Sequence, residues 1–467
     1  MKILRHTTFL LVGCAVLFSS SCKKWVEDIN ESPNNATDAP LAAVMTATLV
    51  GVIQPNSGED ARLAGIWTQQ FTGTDRQYSG YDAYNISSAD FDWDGPYYSV
   101  TQQANISIAK SREAGNKYYE GVAIVLKALS FGMTTAAWGD IPYSQANDIV
   151  QYPSPSFDGQ LDVYAGVQDD LDVAIAALTD GTGGDAFGVD FYFAGDQDKW
   201  KAVAHTLKAR FYMHVGNFIK AGDHAAQGVM TSDGDWMIPH GGAYNQDMNL
   251  YHSFLAADRQ GYMSAPGAYL PEALNPDAAK QNPSWTGVRR NHAKTDETER
   301  FGMIYSGDTT DTYDLNYTSG MWQATSSFPV VTALENLLII AEVEANKDVT
   351  SGVTALNNVR VELAAMYPSG TYSAFLGSDF ATGAIEDNGG ADEKANLLYE
   401  IYEEKYTSLV GQMEVFNDFR RLKNPLGIAP KLGNDFPQRY LIPQSELDGN
   451  TNAPSPPGLF EPTEVNK

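Results

Sequence analysis

The sequence predicts an all-α protein, a scaffold of paired helices that carries long loop-rich segments. The strongest observation is residues 117–146, whose first part repeats apolar residues every three or four positions, as a helix does. The opposite face is apolar too, so this helix should be buried on all sides. It should end at Trp138, because Gly139 suits a left-handed cap and Pro142 cannot continue a helix. A helix of this kind needs layers of other helices around it.

Further apolar stripes at helical spacing supply those layers. Residues 41–53 and 62–71 are short helix candidates, and five longer stripes lie at residues 161–178, 200–214, 331–345, 353–363 and 398–416, the last running on to Arg421. Helices in pairs, without alternating strands, favour a helical-repeat scaffold. No fixed sequence period is present, so any repeats are degenerate.

Two segments break the helical pattern and suggest a binding surface. Residues 72–98 and 231–328 place many Tyr and Trp residues among Gly, Ser, Asp and Asn. Aromatic faces cover the apolar faces of sugars or peptides, while short polar side chains bind hydroxyls or amides. Irregular insertions as long as the second one are usually functional. We therefore expect these segments to form two walls of a ligand site.

An alternative interpretation places some of these rings in the core. We favour it for Trp93, Tyr97 and Tyr98, which would begin the next helix and pack inward, whereas for Tyr78, Tyr81 and Tyr84 both interpretations stay open. The predicted ligand contacts are Arg76, Tyr78, Tyr81, Tyr313, Tyr317 and Trp322.

The charge balance excludes one class of partner. Asp and Glu number 58 against 31 Lys and Arg, a formal net charge of −27. Such a surface repels phosphate backbones, so we expect no nucleic-acid partner.

The first 40 residues predict export and lipidation. Residues 1–21 form a signal peptide with a basic start and a short apolar run, and three serines precede Cys22 as in a lipobox. Cys14 also fits a lipobox, but cleavage there would leave an apolar stub on the mature chain; an ordinary secretory signal is the remaining alternative. We predict lipidation of Cys22, a tether over residues 22–40, and a single helical domain over residues 41–467 with the insertion at about 231–328.

Signals for catalysis and metal binding are weak. The sequence has no His-Glu-x-x-His, no Cys pair and no Gly-x-Ser-x-Gly, so we predict no catalytic residue, metal or cofactor. The Asp-rich residues 185–198 could hold Ca²⁺, but a solvated loop is the favoured interpretation. A carboxylate pair for glycoside hydrolysis stays open, because 58 acids always offer pairs.

Six stretches, in order along the chain, resemble the SusD/RagB-like outer-membrane lipoproteins of Bacteroidota. They are residues 30–34 (NESPN), 138–144 (WGDIPYS), 196–201 (DQDKWK), 341–345 (AEVEA), 402–421 (YEEKY leading to EVFNDFRR) and 437–446 (PQRYLIPQSE). The resemblance implies tetratricopeptide-like helix pairs with a loop-rich ligand-binding face. It also implies structural roles for Trp138, Trp200 and Arg420, and it transfers no binding residue.

The resemblance further implies a function. The expected protein binds nutrients, glycans or oligosaccharides, at the cell surface, as partner and lid of a SusC-like TonB-dependent transporter, held in the outer membrane by its lipid and facing the exterior. It is not expected to be an enzyme. Alternatives are a peptide-binding importer subunit, a structural subunit that binds little itself, and a surface glycoside hydrolase or peptidase.

Overall fold

The computed structural model describes residues 39–467 except residue 434. The signal peptide, Cys22 and nearly all of the tether therefore lie outside the described residues. Within them, the predicted all-α class is confirmed: helices form the scaffold and all strands are short.

The helices of the N-terminal half form successive layers. They are α1 (Leu41–Gly51), α2 (Ile53–Ser57), α3 (Glu59–Trp67), α4 (Arg76–Asp82), α5 (Gln103–Ala114), α6 (Lys117–Trp138), α7 (Gln160–Asp180), α8 (Gln197–His214) and α9 (Phe218–Ala225). A π-helical turn, Asp94–Gln102, leads into α5. From α5 to α9 each helix packs against the next in sequence, as in a stack of helix pairs.

The C-terminal half adds the remaining α-helices and every described strand except β1, which lies in the N-terminal half. The helices are α10 (Leu250–His252), α11 (Tyr269–Leu274), α12 (Thr298–Ile304), α13 (Ala333–Lys347), α14 (Val349–Met366), α15 (Glu393–Ser408), α16 (Glu414–Arg421) and α17 (Gln444–Gly449). The strands are β1 (Thr72–Gly73), β2 (Trp236–Ile238), β3 (Met263–Ser264), β4 (Thr295–Asp296), β5 (Tyr305–Ser306), β6 (Asp314–Leu315), β7 (Phe328–Val331) and β8 (Thr371–Tyr372). They pair antiparallel as β1–β3, β2–β7, β4–β8 and β5–β6.

Helix α6 is the centre of the core, as its sequence predicts. The side chain of Asn116 caps its start by accepting from the amide of Tyr119. Gly139 follows its last residue, but at φ 90° and ψ −123° it does not adopt the left-handed helical conformation predicted for it. Twenty of its residues are buried. Gly132 lets α8 approach closely, because a Cβ there would lie 2.1 Å from the ring of Phe211. The length and apolar composition of α6 would allow it to cross a membrane, but its burial is that of a core helix.

The three residues with expected structural roles lie inside this scaffold. The indole of Trp138 donates to the carbonyl of Leu441 at 2.8 Å, and that of Trp200 donates to Asp190 at 3.0 Å. Arg420 is buried and donates to the carbonyls of Phe416, Gln438 and Ala136.

Several local predictions are corrected. The stripe at residues 398–416 is not one helix: α15 ends at Ser408 and α16 begins at Glu414, because Gly411 has φ 78° between them. Trp93 is buried as expected, but Tyr98 is 65% exposed because it faces outward from the π-helical turn. Residues 231–328 contain short helices and strands rather than irregular chain alone.

The Asp-rich loop before α8 is held together by its own carboxylates. Asp190 accepts from the hydroxyl of Tyr118 and the indole of Trp200, and Asp185 accepts from the hydroxyl of Tyr119. Among the described residues, no cluster of three or more His, Cys, Asp or Glu is placed to hold a metal ion.

Candidate functional site

The two aromatic segments predicted as walls of one site lie side by side. Strand β1 from the first pairs with β3 from the second, with Thr72 opposite Ser264. Just beyond the strands, the amide of Thr74 donates to the carbonyl of Tyr262 at 2.8 Å. Segments far apart in sequence thus share one surface, a relation that the sequence leaves open.

Arg62 and two aromatic rings form the base of this surface. The guanidinium of Arg62 lies 4.2 Å from the centre of the Phe254 ring, and its Nε donates to the hydroxyl of Tyr78 at 3.0 Å. Arg62 is only 9% exposed. Its two Nη nitrogens donate to no atom in the described part of the chain, yet they are not fully enclosed. They are therefore free to donate to a ligand.

Tyr262 forms the rim together with two exposed arginines. The guanidinium carbons of Arg76 and Arg259 lie 6.0 and 5.8 Å from the centre of its ring, and Tyr262 is half-buried. Arg76 has φ 46°, an unusual conformation for a non-glycine residue that is common at ligand sites. Asp75 stabilises this turn by accepting from the amide of Arg76.

We call this surface the arginine–aromatic site; its members are Arg62, Arg76, Tyr78, Phe254, Arg259 and Tyr262. Hydrogen-bond acceptors surround it. Asp258 accepts from the hydroxyls of Tyr244 and Ser253, each at 2.6 Å. Asp90 accepts from the hydroxyl of Tyr81 at 3.1 Å. Donors, acceptors and a half-exposed ring thus lie within one patch.

Burial sets the protonation of the groups at the base. It raises the pKa of Tyr78 to about 12, against the opposing effect of Arg62, so this hydroxyl stays neutral. Burial also raises the pKa of Glu59, whose charge Arg62 partly compensates. At the base, the Arg62 cation therefore lies beside the neutral hydroxyl of Tyr78.

The structure brings the first three predicted contacts together at this site. Arg76 is at the rim with a side chain that is 72% exposed. Tyr78 and Tyr81 pack against each other with ring centres 5.4 Å apart, and both are buried. Their rings therefore support the site from below and have no free face for a ligand.

The other three predicted contacts lie outside the arginine–aromatic site. Tyr313 is buried, and its hydroxyl accepts from Asn275 at 2.6 Å. Trp322 is 1% exposed, packs on Tyr251 and donates to the carbonyl of Ile304. Tyr317 is half-buried beside His252. The buried rings of Tyr313 and Trp322 have no exposed face on which a ligand could stack, whereas the half-buried ring of Tyr317 has one.

Sequence reasoning missed Arg62, Phe254 and Arg259. Arg62 opens an otherwise apolar run (RLAGIW), and a lone cation in such a run is a signal that it either pairs or faces a site. Arg259 follows a second π-helical turn, Ser253–Asp258, and such turns are frequent at functional sites. No signal in the sequence connects either residue to Tyr262.

Comparisons with known proteins agree with this architecture. Residues 33–443 match the family model SusD-like_2, described as "Starch-binding associating with outer membrane". A SusD/RagB family protein from Bacteroides thetaiotaomicron is 21% identical, with a TM-score of 0.65 over 89% of this chain and 95% of that one. A chitin-binding SusD homologue from Flavobacterium johnsoniae is 16% identical, with a TM-score of 0.62 over 88% and 94%.

A third solved structure, a SusD homologue from Parabacteroides distasonis, is 14% identical, with a TM-score of 0.67 over 91% of this chain and 97% of that one. At these identities the likeness concerns the fold. No curated protein matches the chain.

Proposed function

Because the chain belongs to the SusD-like_2 family, we propose that it is a carbohydrate-binding protein of the outer-membrane surface that captures oligosaccharides without cleaving them. The family description and the chitin-binding homologue support a sugar as the ligand. The residues proposed to bind the sugar are those of the arginine–aromatic site.

One observation carries the proposal: free guanidinium nitrogens, a half-exposed ring and carboxylates belong to one patch. The Nη nitrogens of Arg62 can donate to sugar hydroxyls, and Asp75 and Asp258 can accept from them. The ring of Tyr262 can cover the apolar face of a sugar. This combination of donors, acceptors and ring suits a ligand dense in hydroxyl groups.

The affinity of such a site should be modest. A well-placed ring contributes about 0.5–1.5 kcal/mol beyond its buried area, and the hydrogen bonds replace bonds to water. Modest affinity suits a receptor that must release its ligand. We propose that the ligand passes to a SusC-like TonB-dependent transporter, and that lipidated Cys22 holds the protein at the membrane. Copurification of a large outer-membrane protein with the tagged chain would test the partnership.

The function is tested by calorimetry of the purified protein with malto-oligosaccharides, chito-oligosaccharides and short peptides. We expect a sugar to bind, and we expect Tyr262→Ala to weaken that binding about threefold to tenfold, as loss of one ring contact predicts. Tyr98→Ala is the matched control, since Tyr98 is exposed and belongs to the π-helical turn before α5. Binding of peptides alone, or equal affinity of both variants and the wild type, would contradict the proposal.

A further inference from the structure

A cavity opens beside the segments that build the arginine–aromatic site. Its volume is about 250 Å³. Its side-chain walls are Gln69, Tyr269, Asn282, Ser284, Trp285 and Thr286, and residues 426–429 close it from the other side. We call it the tryptophan cleft.

The walls of the tryptophan cleft match a sugar in chemistry. The rings of Tyr269 and Trp285 lie with their centres 5.5 Å apart at 55°, and Trp285 is half-buried. The remaining side-chain walls are amides and hydroxyls, and none of the lining residues carries a charge. In a chain with a net charge of −27, an uncharged cavity of rings and amides favours a neutral polar ligand.

The loop that carries Trp285 is anchored at its C-terminal end. The amide of Arg290 donates to the carbonyl of Ala273 at 3.1 Å, and the side chain of Asn291 donates to the carbonyl of Leu274 at 2.8 Å. The guanidinium of Arg290 is buried and its Nε donates to Glu297 at 3.0 Å. The loop therefore presents Trp285 from a fixed base, which lowers the ordering cost of binding.

The two sites share the same pair of chain segments. The amide of Tyr269 donates to the carbonyl of Gln69 at 2.9 Å at one end, and Thr74 bonds Tyr262 at the other. Because Tyr262 and Tyr269 are seven residues apart, their backbones are separated by at most about 24 Å. Thr72, Ser264 and Asp314 are only partly buried between them and offer polar groups along the way.

We propose that the tryptophan cleft binds a second part of the same oligosaccharide, so that the ligand is an extended chain whose residues occupy both sites. This inference rests on the proposed function. It adds that the ligand class is long oligosaccharides, and that mono- and disaccharides occupy one site at a time.

The test measures affinity against chain length by calorimetry on the full-length protein, from the disaccharide to the octasaccharide of whichever linkage binds. We expect the affinity to rise at least about tenfold once the chain is long enough for both sites, because the second contact is then intramolecular. Trp285→Ala should remove this gain and leave the affinity for the disaccharide at the arginine–aromatic site unchanged. Trp285→Phe, which keeps a ring, should retain most of it.

Phe187→Ala is the matched control, because Phe187 is an exposed ring that stacks on Tyr119 away from both sites. Equal affinity for short and long ligands would overturn the inference, as would a Trp285→Ala variant with full affinity for the long ligand. Either result leaves the proposed function standing if Tyr262→Ala still weakens sugar binding. Failure of every sugar to bind would instead refute the proposed function, and this inference with it.

Discussion

The Nε of Arg62 donates to the hydroxyl of Tyr78 at 3.0 Å, so a phenol rather than a carboxylate orients a cation that is nine-tenths buried. An ion pair with a carboxylate would neutralise the guanidinium and occupy its outer nitrogens. The neutral phenol forms no ion pair with the guanidinium and leaves its Nη nitrogens free. The burial of Tyr78, a predicted ligand contact, is thus compatible with a role in binding that acts through Arg62.

Tyr78→Phe is expected to weaken ligand binding by releasing Arg62, and to lower the free energy of unfolding by about 1–2 kcal/mol through the lost hydrogen bond. Calorimetry and urea denaturation measure the two effects. The matched control is Tyr305→Phe, because the buried hydroxyl of Tyr305 donates to the carbonyl of Gln70 at 2.8 Å, outside the arginine–aromatic site. The control should lose similar stability and keep full affinity; equal effects of both variants on affinity would exclude a positioning role for Tyr78.

Trp322→Ala is expected to lower the free energy of unfolding by about 3–5 kcal/mol, because it removes a large core side chain and leaves a cavity. Trp322 packs with its ring centre 4.6 Å from that of Tyr251 and 5.7 Å from that of Phe71. Urea denaturation measures the loss. Tyr317→Ala, at a half-buried ring, should be mild in comparison. A Trp322→Ala protein of normal stability that binds no sugar would show instead that Trp322 contacts the ligand.

Helix positions could be predicted where their signals are local. Helix α6 spans Lys117–Trp138 as expected, because its periodicity, the Asn116 cap and Gly139 all lie within or beside it. The break between α15 and α16 has only one local signal, a single glycine within an otherwise continuous stripe. It depends on Gly411, whose amide donates to Gln70, a residue from the other end of the chain.

The sequence predicts which chain segments form the candidate site, but not which of their side chains face it. Aromatic content identifies the loops that meet at β1 and β3, but it does not tell which side of a loop each ring faces. Tyr78 and Tyr313 belong to those loops and point into the core, while Tyr262 remains half-exposed. Arg62 lies outside both loops and reaches the site only because Phe254 packs over it. The roles of the six predicted contacts and of Cys22 stay predictions.

Gly411→Ala is expected to destabilise the protein strongly, for two separable reasons. Gly411 has φ 78°, which L side chains rarely adopt, and a Cβ there would lie 2.6 Å from the ring of Trp322. Gly115→Ala is the matched control, since Gly115 has φ 64° and a Cβ added there would meet only open space. The control should lose about 1 kcal/mol from backbone strain alone. Thermal unfolding of the two variants measures the cost of the clash; equal losses would mean that Trp322 moves aside freely.

The buried charges around Arg290, which anchors the Trp285 loop, predict that the free energy of unfolding depends on pH. Arg290 lies among four buried glutamates, Glu297, Glu400, Glu403 and Glu404. Burial raises the pKa of Glu403 to about 7, against the lowering effect of Arg290. Burial would raise the pKa of Glu404 too, but Arg300 and Arg290 lower it to about 2. The pKa values of these two neighbours are therefore shifted in opposite directions from the ordinary value of 4.5.

Glu403→Gln is expected to gain stability relative to the wild type as the pH rises from about 4.5 to 7. In that window the folded wild type holds a proton on Glu403 that the unfolded chain has released, so the unfolding free energy of the wild type falls as the pH rises. The variant has no carboxyl group at this position and does not undergo this loss. The difference in unfolding free energy should change by up to about 3 kcal/mol, since one pKa unit corresponds to about 1.4 kcal/mol. Urea denaturation at several pH values measures it.

Glu404→Gln is the opposing control. Glu404 stabilises the fold above its unfolded pKa, and that contribution is lost as the pH falls below it. The stability that this variant lacks relative to the wild type should therefore shrink toward pH 2. A pH-independent difference for Glu403→Gln would show that Arg290 keeps this carboxylate charged throughout.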